Sequence, residues 1–214
     1  MKYVYELIGT FFLVFTVGMT GFESNSGLWA PLAIGAILAV MVFAGAHISG
    51  GHYNPAVSFA VFLRNKLSAK DLVLYWIFQF VAGVLAASLV IYFKGERGST
   101  PLEIHHVKAF IAEFLFTFAL CFVVLNVATA KAVAGNSYFG WAIGFTVLAG
   151  AYTIGTISSA AFNPAVALGI TVLNLSHMSN LWVYLVANFF GAAAAALLFK
   201  LAHPEVRTSK QNSV

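Results

Sequence analysis

Six apolar segments, each close to 20 residues long, constrain the fold of this chain more than any other feature. The hydrocarbon core of a bilayer is about 30 Å thick, so a helix needs about 20 mostly apolar residues to cross it. Charged residues make up only 8% of the 214 residues, against about 25% in soluble domains. The chain is therefore predicted to be an all-α membrane protein with six transmembrane helices, at roughly 3–21, 30–47, 72–93, 109–129, 138–155 and 181–201.

Two shorter apolar pieces, at 55–63 and 164–173, are too short to cross the membrane. At 1.5 Å per residue, a helix of nine or ten residues covers about 14–15 Å, which is half of the hydrocarbon core. We therefore expect two re-entrant half-helices, each of which enters the membrane and stops at its middle.

The two halves of the sequence repeat one another. Asn54-Pro55-Ala56-Val57 recurs 109 residues later as Asn163-Pro164-Ala165-Val166. Matching polar residues flank the copies at similar distances, namely Glu6 and Gln79 around the first and Glu113 and Asn188 around the second. Each repeat holds three spans, an odd number, so the second copy enters the membrane from the opposite face. The prediction is one domain over residues 1–214, built from inverted repeats at about 1–98 and 107–214.

The Asn-Pro step is typical of a helix start. Asn can cap a helix, and Pro at the first helical position loses no hydrogen bond. Asn54 and Asn163 are therefore predicted to begin the two half-helices, whose positive N-terminal ends meet at mid-membrane. The stretches 48–53 and 157–162 are predicted to be non-helical, and irregular backbone at this depth persists only where it is buried or lines water. The sequence thus predicts a pore lined by backbone carbonyls, with both Asn amides at its middle.

Glu6 and Glu113 are the only carboxylates deep within the predicted spans. Intramembrane acids are costly and are usually functional or paired. A proton relay is one use for them. Their equivalent places in the two repeats favour a structural use instead, in which each carboxylate accepts hydrogen bonds from the backbone of a re-entrant loop.

The basic residues predict an orientation. With six spans, both termini lie on one side, which then holds eight basic residues: Lys2, Arg64, Lys66, Lys70, Lys131, Lys200, Arg207 and Lys210. The other side holds three, Lys94, Arg97 and Lys108. The positive-inside rule places both termini in the cytoplasm. The basic residues form no stripe interleaved with aromatic residues, so nucleic-acid binding is not expected.

Several motifs of the chain also occur together in one known family. They are Glu6-x-x-Gly9-Thr10-Phe11-Phe12, the loop from His47 to Val57, Glu113, Asn163-Pro164-Ala165, and the pair Gln79 and Asn188. In these the chain resembles the aquaporin, or major intrinsic protein, family over nearly its whole length, and its first loop is most similar to bacterial water channels. The resemblance implies six spans plus two half-helices, a passive channel with one pore per subunit, a homotetramer in the cell membrane, and no cofactor or metal.

The second motif departs from that family. The residue after the second Asn-Pro-Ala is usually Arg, and here it is Val166. Ungapped counting from the motifs puts the other members of the outer constriction at Ile34, Ala151 and Ala160, with Gly150 or Tyr152 as alternatives for the fifth span. These residues match neither the water-selective nor the glycerol-conducting pattern. They predict a wide apolar ring, unless Tyr152 or Phe43 narrows it enough to slow water.

Three functions compete at this point. The leading one is a passive channel for water, small uncharged solutes or both. The first alternative is a facilitator for glycerol or similar neutral solutes with a widened apolar filter, and the second is a secondary transporter, since transporters also use inverted repeats and broken helices. The sequence offers no nucleophile–base pair, metal cluster or phosphate loop, so an enzyme is not expected.

Overall fold

The structure is a computed structural model that describes residues 1–21, 29–98 and 100–204. These residues form eight α-helices: α1 (Lys2–Gly21), α2 (Ala30–Ser49), α3 (Pro55–Leu63), α4 (Ala69–Lys94), α5 (His106–Thr129), α6 (Phe139–Ser158), α7 (Pro164–Val172) and α8 (Leu181–Ala202). Within the described ranges, six helices are long and apolar enough to cross a membrane. The predicted all-α fold with six spans and two half-helices is confirmed.

The short helices α3 and α7 contain nine residues each, and their N-termini lie at the two Asn-Pro steps. Both end in a residue that keeps the helical conformation for one more step, Arg64 after α3 and Leu173 after α7. Each helix is about half as long as a bilayer core is thick. Their predicted bounds are correct to within one residue.

The non-helical stretches before α3 and α7 are shorter than predicted. We expected 48–53 and 157–162, but α2 continues to Ser49 and α6 to Ser158, which leaves only 50–53 and 159–162 outside the helices. The reason is local, because Gly50 and Ser159 cap these helices in the left-handed conformation. Their N–H groups donate to the carbonyls four residues earlier, so the helices extend up to the caps.

The two halves pack through a symmetric set of helix contacts. In the first half α1 packs against α4 and α2, and in the second half α5 packs against α8 and α6. Each half-helix also contacts the opposite half, since α3 packs against α8 and α7 against α4. At two of these contacts a side chain would not fit: a Cβ on Gly83 would lie 2.8 Å from the Ala165 carbonyl oxygen, and one on Gly191 would lie 2.7 Å from that of Phe114. Small residues therefore bring the helix backbones together, as is common in membranes.

Large apolar side chains are exposed along the outer faces of the long helices, among them Ile77, Leu115, Phe190 and Leu197. Such exposure is unfavourable in water but suits a hydrocarbon environment, where apolar surface carries no penalty. The buried polar residues lie inside the bundle instead, around the two half-helices. The bundle therefore has an apolar exterior that suits lipid and places its buried polar residues inside an otherwise apolar core.

Candidate functional site

The two half-helices begin on asparagine caps of the same geometry. The Asn54 Oδ1 atom accepts from the N–H groups of Ala56 at 2.8 Å and Val57 at 3.4 Å. The Asn163 Oδ1 atom accepts from the corresponding pair, at 2.9 and 3.4 Å. Both asparagines have extended backbone, and Pro occupies the first helical position after each. The caps leave both side-chain amide nitrogens free to bond elsewhere.

Those amide nitrogens link the two halves reciprocally. The Asn54 Nδ2 atom donates to the carbonyl oxygen of Phe162 at 2.8 Å, and the Asn163 Nδ2 atom donates to that of Tyr53 at 2.9 Å. An asparagine amide has two hydrogens, so one N–H on each side chain remains. Both asparagines line the central cavity and are 3% exposed. The arrangement therefore presents two fixed N–H donors to that cavity, side by side at the helix N-termini.

Each deep glutamate is completely buried and accepts four hydrogen bonds. Glu6 receives the backbone N–H groups of His52 and Tyr53 at 2.9 and 2.7 Å, the Ser49 hydroxyl at 2.7 Å and the Gln79 amide at 2.8 Å. Glu113 receives the equivalent set in the second half, with distances of 2.7–3.0 Å: the N–H groups of Ala161 and Phe162, the Ser158 hydroxyl and the Asn188 amide. Four donors compensate a carboxylate for the loss of water.

These bonds also orient the backbone of the loops. In a trans peptide the N–H and the preceding C=O point in opposite directions. Because the N–H groups of His52 and Tyr53 face Glu6, the carbonyls of Gly51 and His52 point away from it. Gly51 and His52 line the central cavity. The same geometry applies to the carbonyls before Ala161 and Phe162 in the second half. Each loop thus offers carbonyl acceptors on its cavity side.

The central cavity connects larger openings at the two faces of the bundle. It has a volume of about 50 Å³. On the side where α1 begins, which we call the terminal side, it adjoins a vestibule of about 420 Å³ through His52 and Val124. On the other side it adjoins an outer vestibule of about 430 Å³, with which it shares Val17, Ile34 and Ala151, among others. The three cavities together follow one path through the molecule.

The four residues expected at the outer constriction lie on this path. Ile34, Ala151, Ala160 and Val166 all line the central cavity, and the first three also line the outer vestibule. Val166 is 4% exposed and lies in the first turn of α7, directly after the Asn-Pro-Ala motif. These four side chains are aliphatic, and Ser159 is a polar side chain that lines the same two spaces beside them.

The three residues considered for the fifth span lie in different surroundings. Gly150 is buried against Phe116 and Phe162 and does not line the central cavity. Tyr152 is 49% exposed and lines only the outer vestibule. Ala151 is the α6 residue that reaches both spaces.

Phe43, one of the two residues considered as an alternative that would narrow the ring, lies away from the central cavity. Its ring packs edge-on against Phe139 and Trp141, with centroid distances of 5.1 and 5.7 Å. It fills the space above Gly140, between α2 and α6, and it is absent from the lining of the central cavity. Helix periodicity explains this position, because Phe43 and the cavity-lining Leu38 lie on different faces of α2.

His52 is a cavity-lining residue that was not among the predicted site residues. Its side chain lines both the central cavity and the terminal-side vestibule. A signal was present, since the repeat places Ala161 at the equivalent position and Ala167 opposite Ser58. A polar pair that one repeat keeps and the other lacks is the kind of difference that indicates a local role.

Comparisons with known proteins agree with this architecture. A family model described as major intrinsic protein matches residues 1–199. Nodulin-26 from Glycine max is 32% identical over 212 residues, covering 94% of this chain and 77% of its own. Aquaporin NIP1-3 from Oryza sativa is 35% identical over 217 residues, covering 94% and 73%.

A solved structure shares the fold. The X-ray structure of the aquaglyceroporin from Plasmodium falciparum superposes with a TM-score of 0.76 at 24% identity and covers 96% of this chain and 99% of its own. The family match extends over more than nine-tenths of the chain, and both curated relatives exceed 30% identity. The chain therefore belongs to the major intrinsic protein family of multi-pass membrane channels.

Proposed function

We propose that this chain is a passive channel that conducts water together with small uncharged solutes, through a pore whose outer constriction is wide and apolar. The observation that carries the proposal is the lining of the central cavity, in which two asparagine caps face an aliphatic ring containing Val166. Membership of a family of channels already excludes an enzyme. The relatives named as aquaporins and the aquaglyceroporin of the same fold agree with water and small solutes as permeants.

The ring supports the conduction of solutes larger than water. Arg at position 166 would bring five fixed donors and a full positive charge to the constriction. Val166 brings neither, so the polar contacts of a permeant come from the loop carbonyls and from Asn54 and Asn163. Glycerol or a similar neutral solute could then pass beside water. A facilitator with glycerol as its main permeant is the second candidate, favoured by the same aliphatic ring.

Two observations weigh against a secondary transporter. Coupled transport usually needs an ionisable group or an ion site near the midplane. Among the described residues the deep carboxylates are Glu6 and Glu113, and each is fully buried and bound by four donors. We assign both to the support of the re-entrant loops.

Stopped-flow measurements on proteoliposomes test the proposal. A channel gives fast, non-saturating water flux with a low activation energy, whereas a transporter saturates. Val166→Arg should reduce glycerol flux much more than water flux, because it narrows the ring and adds donors. Val166→Ile is the matched control, since it adds volume without charge. If wild type already excludes glycerol as strictly as Val166→Arg does, the wide constriction is disproved.

The assembly and orientation are proposed on separate grounds. The resemblance to the family implies a homotetramer, and the distribution of basic residues places both termini in the cytoplasm of a cell membrane. Size-exclusion chromatography with light scattering tests the tetramer. Single cysteines at Lys70 and Lys94 test the orientation by labelling of intact cells with a membrane-impermeant maleimide. Cys121 is fully buried, so we expect no labelling of the native cysteine in that experiment.

A further inference from the structure

The terminal-side end of the central cavity has an imidazole in its lining, whereas the outer end is lined by aliphatic side chains and Ser159. His52 lies where the central cavity meets the terminal-side vestibule, and Val124 of α5 lines the same two spaces. The imidazole is 8% exposed. Its Nδ1 atom lies 3.1 Å from the Ser58 hydroxyl, and its Nε2 atom has no hydrogen-bond partner within the described part of the chain. Which ring nitrogen carries the proton decides what a permeant meets here.

A chain of hydrogen bonds runs from Glu6 through Gln79 and Ser58 to His52. The buried carboxylate of Glu6 orients the first group of this relay, the Gln79 side-chain amide. The Gln79 Nε2 atom lies 2.8 Å from Glu6 Oε2 and 2.9 Å from the Ser58 Oγ atom. The Glu6 carboxylate accepts from Ser49, His52 and Tyr53 as well, so the amide nitrogen, and not the amide oxygen, of Gln79 faces it. The two hydrogens of Gln79 are then both used, one toward Glu6 and one toward Ser58.

The Ser58 hydroxyl determines which nitrogen of the His52 imidazole carries the hydrogen. Its oxygen accepts from Gln79, so its own hydrogen needs a different acceptor. Ser58 is fully buried, and among the described residues the His52 Nδ1 atom is the acceptor within reach. The hydroxyl therefore donates to Nδ1, and neutral His52 carries its hydrogen on Nε2.

The second half of the molecule has no such relay. Asn188 occupies the place of Gln79 and donates to Glu113 at 3.0 Å, but its other hydrogen goes to the Thr117 hydroxyl on α5 at 2.9 Å. Ala161 and Ala167 stand where the first half has His52 and Ser58. The hydrogen bonds of Asn188 therefore stay within the helical scaffold, whereas those of Gln79 continue through Ser58 to the pore.

We propose that Ser58 and Gln79 are positioning residues that fix His52 as an Nε2–H donor, and that this donor forms a second, polar selection point at the terminal-side end of the pore. The inference rests on the proposed channel function and deepens it. With an aliphatic outer ring, His52 supplies the side-chain donor that the position of Val166 lacks. The selection favours neutral solutes with acceptor oxygens, such as polyols and urea, since each must replace a hydration contact at this level.

Nuclear magnetic resonance tests the positioning directly. The protein is labelled with ¹⁵N-histidine, placed in lipid nanodiscs at mildly alkaline pH, and the His52 signals are assigned by their loss in His52→Gln. Wild type should show the Nε2–H tautomer. Ser58→Ala should show a mixture of both tautomers, and Ser58→Thr, which keeps the hydroxyl, should restore the wild-type spectrum. An Nδ1–H tautomer in wild type, or an unchanged spectrum in Ser58→Ala, overturns the relay.

Solute flux tests the selection point. His52→Leu should lower the ratio of urea to water permeability by about fivefold, the equivalent of one hydrogen bond, and Ser58→Ala should lower it by a smaller factor. Thr10→Ala is the matched control, because it removes a buried hydroxyl that has no partner and lies outside the relay. Ala167 at the equivalent position indicates that the fold accepts Ala at position 58.

Different outcomes overturn the channel and the selection point. Wild type without any facilitated flux overturns the channel itself. Normal wild-type flux with the same urea-to-water ratio in His52→Leu, Ser58→Ala and Thr10→Ala overturns the selection point alone.

Discussion

The two halves of this molecule share a backbone but differ in the side chains that reach the pore. Glu6 and Glu113 each accept four hydrogen bonds from equivalent donors, and Asn54 and Asn163 cap equivalent helices. The loops between them differ at every position, with Gly-Gly-His-Tyr at 50–53 and Ser-Ala-Ala-Phe at 159–162. The hydrogen bonds that build the site are thus duplicated, whereas the loop side chains beside the pore are not.

The loops at 50–53 and 159–162 also adopt the same backbone conformation with different amounts of strain. The first, second and fourth residues of each loop have positive φ: 90°, 63° and 50° in the first half, and 66°, 51° and 48° in the second. Glycine occupies two of these positions in the first loop and none in the second. Left-handed backbone is costly for residues with a Cβ, so the second loop depends more on the bonds that hold it in place.

Removing the carboxylate that holds a loop should have the largest effect. Glu113→Gln replaces an acceptor of four hydrogen bonds by an amide with a single acceptor oxygen, so buried donors lose their partners. We expect a loss of at least about 3 kcal/mol of stability and a low folded yield, measured by fluorescence-detected chromatography and thermal unfolding. Glu6→Gln should have a similar or smaller effect, since glycine relieves the strain in its loop.

Glu96→Gln is the control for that comparison, because Glu96 is exposed. The folded fraction of Glu113→Gln should still conduct water. A proton-coupled flux that disappears specifically in Glu113→Gln would contradict the structural role and favour a transporter.

A charge at the centre of the pore should change ion exclusion from either half. Asn54→Asp and Asn163→Asp each replace the N–H that bonds the opposite loop by a carboxylate oxygen. A negative charge in a low-dielectric constriction attracts cations, and we expect a cation leak at least about tenfold above wild type, measured by electrophysiology. Asn65→Asp, in an exposed turn, is the control for added charge. Equal ion leaks in all four proteins would show that these asparagines do not face the pore.

Repetition in the sequence was sufficient to predict the shared backbone. The spans, the half-helix starts and the buried glutamates follow from apolar length and from motifs that occur twice. The side-chain packing that differs between the halves was not predictable in this way. Tyr53 shows why, because its ring fills a slot between Gly9 of α1 and Gly45 of α2, and Gly9 is distant from both in sequence. The repeat pairs Gly9 with Phe116 and Tyr53 with Phe162. Only the structure shows that the large side chain lies on the loop in the first half and on the helix in the second.

Filling the slot for Tyr53 should destabilise the first half alone. A Cβ on Gly45 would overlap the Tyr53 hydroxyl, which donates to the Met41 carbonyl at 2.9 Å. We expect Gly45→Ala to cost about 1–3 kcal/mol, as overpacking does. Gly155→Ala in α6 is the matched control, since no atom lies within 4 Å of its Cβ position.

A double-mutant cycle identifies the cause. Combining Gly45→Ala with Tyr53→Phe removes the overlapping hydroxyl, so thermal unfolding should show a favourable coupling between the two changes of at least about 0.5 kcal/mol. Additive effects would mean that Gly45 is required for another reason.

The smallest expected effect comes from exchanging loop residues between the halves, which tests the conformational strain of the two loop backbones. A Cβ on Gly51 would meet its nearest neighbours at an ordinary 3.4 Å, so Gly51→Ala adds backbone strain but no clash. Left-handed backbone costs Ala about 1–2 kcal/mol, and the lower entropy of unfolded Ala returns about 0.5–1 kcal/mol of it. Gly51→Ala should therefore destabilise by up to about 1.5 kcal/mol, and Ala160→Gly should stabilise by a similar amount, less the loss of one methyl contact. Ala160 also lines the outer constriction, so Ala160→Gly should raise glycerol flux slightly while thermal unfolding shifts upward. If Ala160→Gly instead lowers the unfolding temperature, the methyl group contributes more than the strain, and the second loop is held by packing rather than by the bonds to Glu113.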